Sequence, residues 1–227
     1  MPRWPADRVL AMAAVSFLAA NVVAGLVAVA LGLTRSGAEV TPAQVAIVGL
    51  AQGATLAGLA LVLLARFAGV RPSDLGATRR PSVAIAIGVG AGLWIVAEVV
   101  SRLQQAILGS GTQLQTAIEL AHPSLANLAI EVVVDAAFIG AAEELFFRAI
   151  LFGLFRQHMS FAGAALLSSV LFAGTHGLGS FVPVLLVGLG LAALYERRQS
   201  LWTNALAHAT FNSITAFVIY VVASRGG

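Results

Sequence analysis

An all-α, polytopic bundle of about seven membrane helices is the fold class this sequence predicts. Hydrophobic residues fill 59% of its 227 positions, charged ones only 10%, and mean hydropathy is +0.93, whereas soluble domains hold about half apolar and a quarter charged residues. Apolar runs recur from end to end, and each is long enough for the roughly 20 residues that cross a hydrocarbon core of about 30 Å. All thirteen basic residues are arginine, standing mostly singly or in pairs at the ends of those runs. That placement is a topology signal; it predicts no nucleic-acid partner, despite a net charge of +3.

The first helix, Val9 to Leu33, follows Arg3 and Arg8; its apolar part is too long for a signal-peptide core, so a retained anchor is expected. The second runs from Ala43 to Phe67 and ends at the linker RPSDLGATRRPS, whose two prolines and glycine break any helix. Val83 to Leu108 is the third, with IGVGAGL supplying small residues for close packing in lipid. A polar connection from Gly109 to Ser124 precedes the fourth, Leu125 to Phe155. Phe161 to His176, Phe181 to Tyr195 with its LVGLGL, and Leu201 to Ala223 complete the set. Arg3, Arg8, Arg66, Arg71, Arg79, Arg80, Arg156, Arg197 and Arg198 fall on one side if the helices alternate, against Arg35, Arg102 and Arg225 on the other. A cytoplasmic amino terminus in a multi-pass cell (inner) membrane protein follows, with the carboxyl terminus outside if all seven helices cross. One integral-membrane domain over 1–227 is expected, with a motif-bearing core at about 125–222.

Without cysteine there is no disulfide, thiolate nucleophile or cysteine metal site. Chemistry falls to carboxylates, imidazoles, hydroxyls and amides. An ionisable group at the centre of a membrane helix costs about 2.5 to 3.5 kcal/mol even on permissive insertion scales, so Glu143, Glu144 and Arg148, all within AAEELFFRAI, need a physical reason. Glu144 and Arg148 are four apart and can pair. Glu143 points about 100° away and must find another partner.

His176, at the end of LFAGTHG, and His208 with Asn212, four apart in ALAHATFNSI, are the candidates. At about 1.5 Å per residue, Glu143, His176 and Asn212 rise some 15 to 22 Å from the arginine-rich end and His208 about 9 Å, so one polar cavity can hold all four. A desolvated carboxylate beside a histidine can hold and deprotonate a water, and His208 with Asn212 can stabilise the oxyanion formed when that water attacks a carbonyl. The constellation fits peptide-bond hydrolysis inside the membrane. Glu98 and Arg102 are expected to pair near an interface, Glu131 and Asp135 either to line the outer mouth of the cavity or to precede a fourth helix that begins later than Leu125, and His122 and His158 to be solvated. Ser168, Ser169 and Ser213 lack the spacing of a serine hydrolase.

Glu143-Glu144-Leu145-Phe146-Phe147-Arg148 resembles the Glu-Glu-x-x-x-Arg motif of the CAAX protease and bacteriocin-processing (CPBP, or Abi) family, whose eukaryotic relatives are the Ras-converting CAAX endopeptidases. Phe172 to His176 is similar to its Phe-x-x-x-His motif, and His208 to Asn212 to its His-x-x-x-Asn motif. The resemblance implies that Glu143 and His176 activate water and that His208 and Asn212 form the oxyanion site. Glu144 and Arg148 would support them, with Phe172 packed near the cavity.

The family is labelled both metallo and metal-free. Zinc or another divalent ion, if bound, would sit on Glu143, His176 and His208, yet no His-Glu-x-x-His helix fixes such ligands, and a glutamate-activated water is the preferred reading. The expected partners are membrane lipids and a peptide or protein substrate, lipidated or not. An absence of Lys with abundant Ala, Arg and Gly points to a GC-rich bacterial source. Two alternatives stand: a non-catalytic scaffold or bacteriocin self-immunity protein of the same fold, and a proton-coupled transporter using Glu131, Asp135 and Glu143 as a relay.

Overall fold

The computed structural model describes residues 4–36, 40–108 and 123–225. Among the described residues seven α-helices follow in order: α1 Ala6–Ala30, α2 Pro42–Ala68, α3 Val83–Leu108, α4 Leu125–Arg156, α5 Phe161–Gly174, α6 Phe181–Arg198 and α7 Leu201–Arg225. Among the described residues there is no strand. The polar connection at 109–122, with His122, and Arg3 lie outside the described residues.

Local chemistry sets the boundaries. Thr41 opens α2 with a capping box, its hydroxyl accepting from the Gln44 amide while the Gln44 side chain takes the Thr41 N–H, and Pro42 occupies the first turn where no donor is missed. Ser124 and Ser160 cap α4 and α5 by accepting from the amides of Asn127 and Gly163. Left-handed Gly69 stops α2, and Gln199 at φ 50° stops α6.

Six of the seven helices are long and apolar enough to cross a membrane; α5, with 14 residues, is shorter. The sequence reading carried this helix on to His176, but Thr175 and His176 form a turn and Gly177 at φ +81° redirects the chain into α6. The expectation of an exterior carboxyl terminus rested on seven crossings, and length supports six.

α1 lies along α2, α3 along both α7 and α6, and α5 along α6, while α4 packs against α2 and α7. The main core gathers Phe146, Phe147, Phe152 and Phe155 of α4 with Phe172, Tyr195 and Leu64. One end of the bundle is tied by polar bonds. Trp4 N–H donates to Gln157 Oε1 at 2.8 Å, Tyr195 O–H to the Leu75 carbonyl at 3.0 Å, and Trp202 Nε1–H to the Ala77 carbonyl at 2.7 Å. At Gly76, φ +69°, a Cβ would stand 2.5 Å from the Gln199 carbonyl oxygen, so only glycine lets the 71–80 loop close on the α6–α7 turn. The arginine-bearing connections therefore share one end, as alternating helices require. At the other, Gln104 Nε2 donates to the Gly179 carbonyl at 2.9 Å.

Candidate active site

α4 carries three of the charged candidates, and it is not a regular α-helix where it does so. Glu131–Ile139 and Glu144–Phe152 are wound as π-helix, with one α-helical stretch, Gly140–Glu143, between them. Wide turns of this kind are rare and concentrate at functional sites because they re-aim side chains. Here they turn Glu144 and Arg148 into the core, both within 1% of complete burial, and leave Glu143 half-buried beside them.

Glu144 is the centre of the cluster. Its Oε1 lies 2.9 Å from Arg148 Nη1 and 3.0 Å from His208 Nδ1, and its Oε2 accepts from Asn204 Nδ2 at 3.0 Å. Asn204 Nδ2 also donates to the Leu191 carbonyl of α6 at 2.8 Å, which ties three helices at one carboxylate. Arg148 makes a charge contact more than a hydrogen bond: neither Nη1 nor Nη2 has an aligned acceptor among the described residues. Its guanidinium carbon instead sits 4.1 Å from the centroid of the Phe172 ring, a cation–π placement. A buried carboxylate with three polar contacts is compensated in a way that a lone one in lipid would not be.

His208 stands between the two glutamates. Its Nδ1 faces Glu144, and its Nε2 is 3.8 Å from Glu143 Oε2. Gly140 lies beside that ring, where a Cβ would make ordinary van der Waals contact with His208 Cγ at 3.6 Å. Glu144 accepts, so Nδ1 carries a hydrogen.

His176 sits in the turn after α5. Its Nδ1 bonds the Phe172 carbonyl at 2.9 Å; a carbonyl only accepts, so Nδ1 is the protonated nitrogen and Nε2 presents its lone pair. The buried Phe172 ring joins the motifs, with centroids 4.6 Å from the His176 ring and 5.8 Å from the His208 ring. Asn212, one turn beyond His208 and half-buried, has no side-chain hydrogen-bond partner among the described residues.

The structure thus brings Glu143 to His208, Glu144 to Arg148 and His208, and Phe172 to His176, His208 and Arg148. No ion pair joins Glu143 to His176 among the described residues; the imidazole nearest Glu143 in pairing distance is that of His208. Asn204 escaped the sequence reading, although its place four residues before His208 puts it on the same face as His208 and Asn212. Glu98 and Arg102 pair at 2.6 Å, as their spacing predicts. Glu131 and Asp135 are half-buried on the first wide stretch of α4, with Asp135 beside Gly49 of α2, and His158 is exposed. Ser168 is turned back onto the Ala165 carbonyl at 3.2 Å, away from any base.

Among the described residues no three His, Asp or Glu side chains group closely enough to hold a metal ion. Glu143, His176 and His208 as they stand do not fit a divalent-cation site.

Residues 125–214 match the family model described as type II CAAX prenyl endopeptidase Rce1-like. No curated protein and no solved structure matches the chain.

Proposed function

With residues 125–214 forming a domain of the Rce1-like type II CAAX prenyl endopeptidase family, we propose that the chain is an intramembrane endopeptidase that cuts a peptide bond of a membrane-associated protein or peptide. Glu143 and His176 hold the attacking water, the former as proton acceptor and the latter through the Nε2 lone pair that its Phe172 bond leaves free. The water oxygen adds to the scissile carbonyl carbon as its proton passes to Glu143. His208 and Asn212 donate to the resulting oxyanion. On collapse the C–N bond breaks, the proton on Glu143 passes to the leaving nitrogen, and the other product departs as a carboxylic acid.

His208 reaches the oxyanion from Nε2 while its Nδ1 stays on Glu144. Glu144, Arg148, Asn204 and Phe172 then hold the ring in place.

The observation that carries this reading is the imidazole of His208, anchored at 3.0 Å on buried Glu144 and 3.8 Å from Glu143. The test uses purified protein in nanodiscs with lipidated and unmodified peptides. Glu143→Gln should lower cleavage by about 10²-fold or more, as loss of a general base does; unchanged cleavage would eliminate the role of Glu143. Loss of activity on chelation, restored by zinc, would replace this water mechanism with a metal one. If the protein is instead a scaffold or immunity protein, Glu143→Gln leaves the phenotype intact. A transporter would show proton-coupled flux abolished by Asp135→Asn.

A further inference from the structure

A cavity lies away from the glutamate cluster, at the arginine-rich end of the bundle. It encloses about 220 Å³ between the start of the chain, the 71–76 turn, and the ends of α4 and α6. Its floor is apolar and aromatic, from Trp4, Ala149, Phe152 and Tyr195, and its rim carries Asp74, Arg156, Glu196 and two glutamines, Gln157 and Gln199. Trp4 is only 5% exposed, yet its Nε1–H has no acceptor among the described residues. An unsatisfied indole donor at such a depth is costly, and an incoming acceptor would relieve it.

The charges around this cavity are layered. Arg156 is neutralised by Glu196, donating from Nε and Nη2 to the same oxygen, Oε1, at 3.0 and 2.9 Å. Asp74 accepts from the Arg71 amide and forms no ion pair among the described residues, so its carboxylate is open to a cationic group. The surface of the same end carries the exposed arginines Arg71, Arg79, Arg80, Arg197 and Arg198. A ligand suited to this lining pairs a hydrogen-bearing amine, for the carboxylates, with an anionic acceptor, for the indole donor and the arginines. At a helix-end depth beside tryptophan and tyrosine, membranes present that chemistry in their headgroups.

We propose that this cavity is a binding site for a phosphoethanolamine group, with its ammonium on Asp74 and Glu196 and its phosphate oxygens toward the Trp4 Nε1–H and the arginine rim. The source is either phosphatidylethanolamine of the bilayer or a free phosphoethanolamine ester.

Native mass spectrometry of the full chain, released from nanodiscs of equal phosphatidylethanolamine, phosphatidylcholine and phosphatidylglycerol, reads the preference directly. Phosphatidylethanolamine should be retained at least tenfold over both others. The choline lipid has no N–H for the carboxylates, and the glycerol lipid has no amine at all. Asp74→Asn keeps the bond to the Arg71 amide while removing the charge, and Trp4→Phe keeps the ring while removing the donor; each should abolish the preference without changing the thermal midpoint by more than a few degrees. In the wild type, displacement of the bound lipid by millimolar soluble phosphoethanolamine identifies the free ester as a competent source, and retention against it identifies the lipid. Equal retention of the three lipids, a preference for the anionic lipid, binding only of a cationic peptide, or a preference unchanged in both variants would overturn the assignment. The outcome is independent of peptide cleavage.

Discussion

Glu144 shows what a buried charge in lipid requires of its neighbours. Three polar contacts meet at its carboxylate, and removing different ones should have different consequences. Arg148→Leu leaves the carboxylate without its counter-charge, and the expected loss is about 3–5 kcal/mol of stability, read as a lowered unfolding midpoint in detergent. Pairing it with Glu144→Gln should recover much of that loss, because no lone charge then remains. Asn204→Ala removes the tie to Leu191 and one bond to Glu144, and should cost about 1–3 kcal/mol; in a cleavage assay kcat should fall more than KM rises, since His208 loses its orientation. Of these residues, Glu144 and Arg148 were legible as a pair from spacing alone. Asn204 was equally visible by the four-residue rule, but an asparagine in a membrane helix carries no formal charge and drew no attention. The partner of Glu143 was not legible, because which of two histidines comes nearest depends on how α7 and the α5–α6 turn pack.

At the scale of elements, close approach between helices positions the site. α3 and α7 touch at Gly90, where a Cβ would run into the Ala207 carbonyl oxygen and lie 2.7 Å from Thr210 Cβ. Gly90→Ala should push α7, with His208 and Asn212, away from α4, at a cost of about 1–3 kcal/mol and with a drop in activity. Gly88→Ala, two residues earlier and open on its outer face, is the matched control and should change neither. The sequence announces such small residues and the apolar length of each helix, because both are local properties. It does not announce the wide winding of α4, since π-helical turns have the same composition as α-helical ones and exist only because the neighbours hold them.

For the whole molecule, arginine placement and polar ties agree that the 71–80 loop and the α6–α7 turn belong to one end, with Thr34 at the other. The chain has no cysteine, so single cysteines report cleanly. An impermeant maleimide added to intact cells should label Thr34→Cys and spare Ser73→Cys until the membrane is opened. The reverse pattern would invert the expected orientation.

The brevity of α5 bears on how the reaction is supplied. Fourteen residues span about 21 Å, against a hydrocarbon layer of about 30 Å. Lipid beside this helix has to thin or part to match it, and the imidazole of His176 stands just past the helix end, where bulk solvent comes nearest to it. Hydration of the proposed reaction centre should therefore vary with acyl-chain length: the proposed hydrolysis should slow in long-chain bilayers and recover in short-chain ones, and turnover across a series of chain lengths measures it.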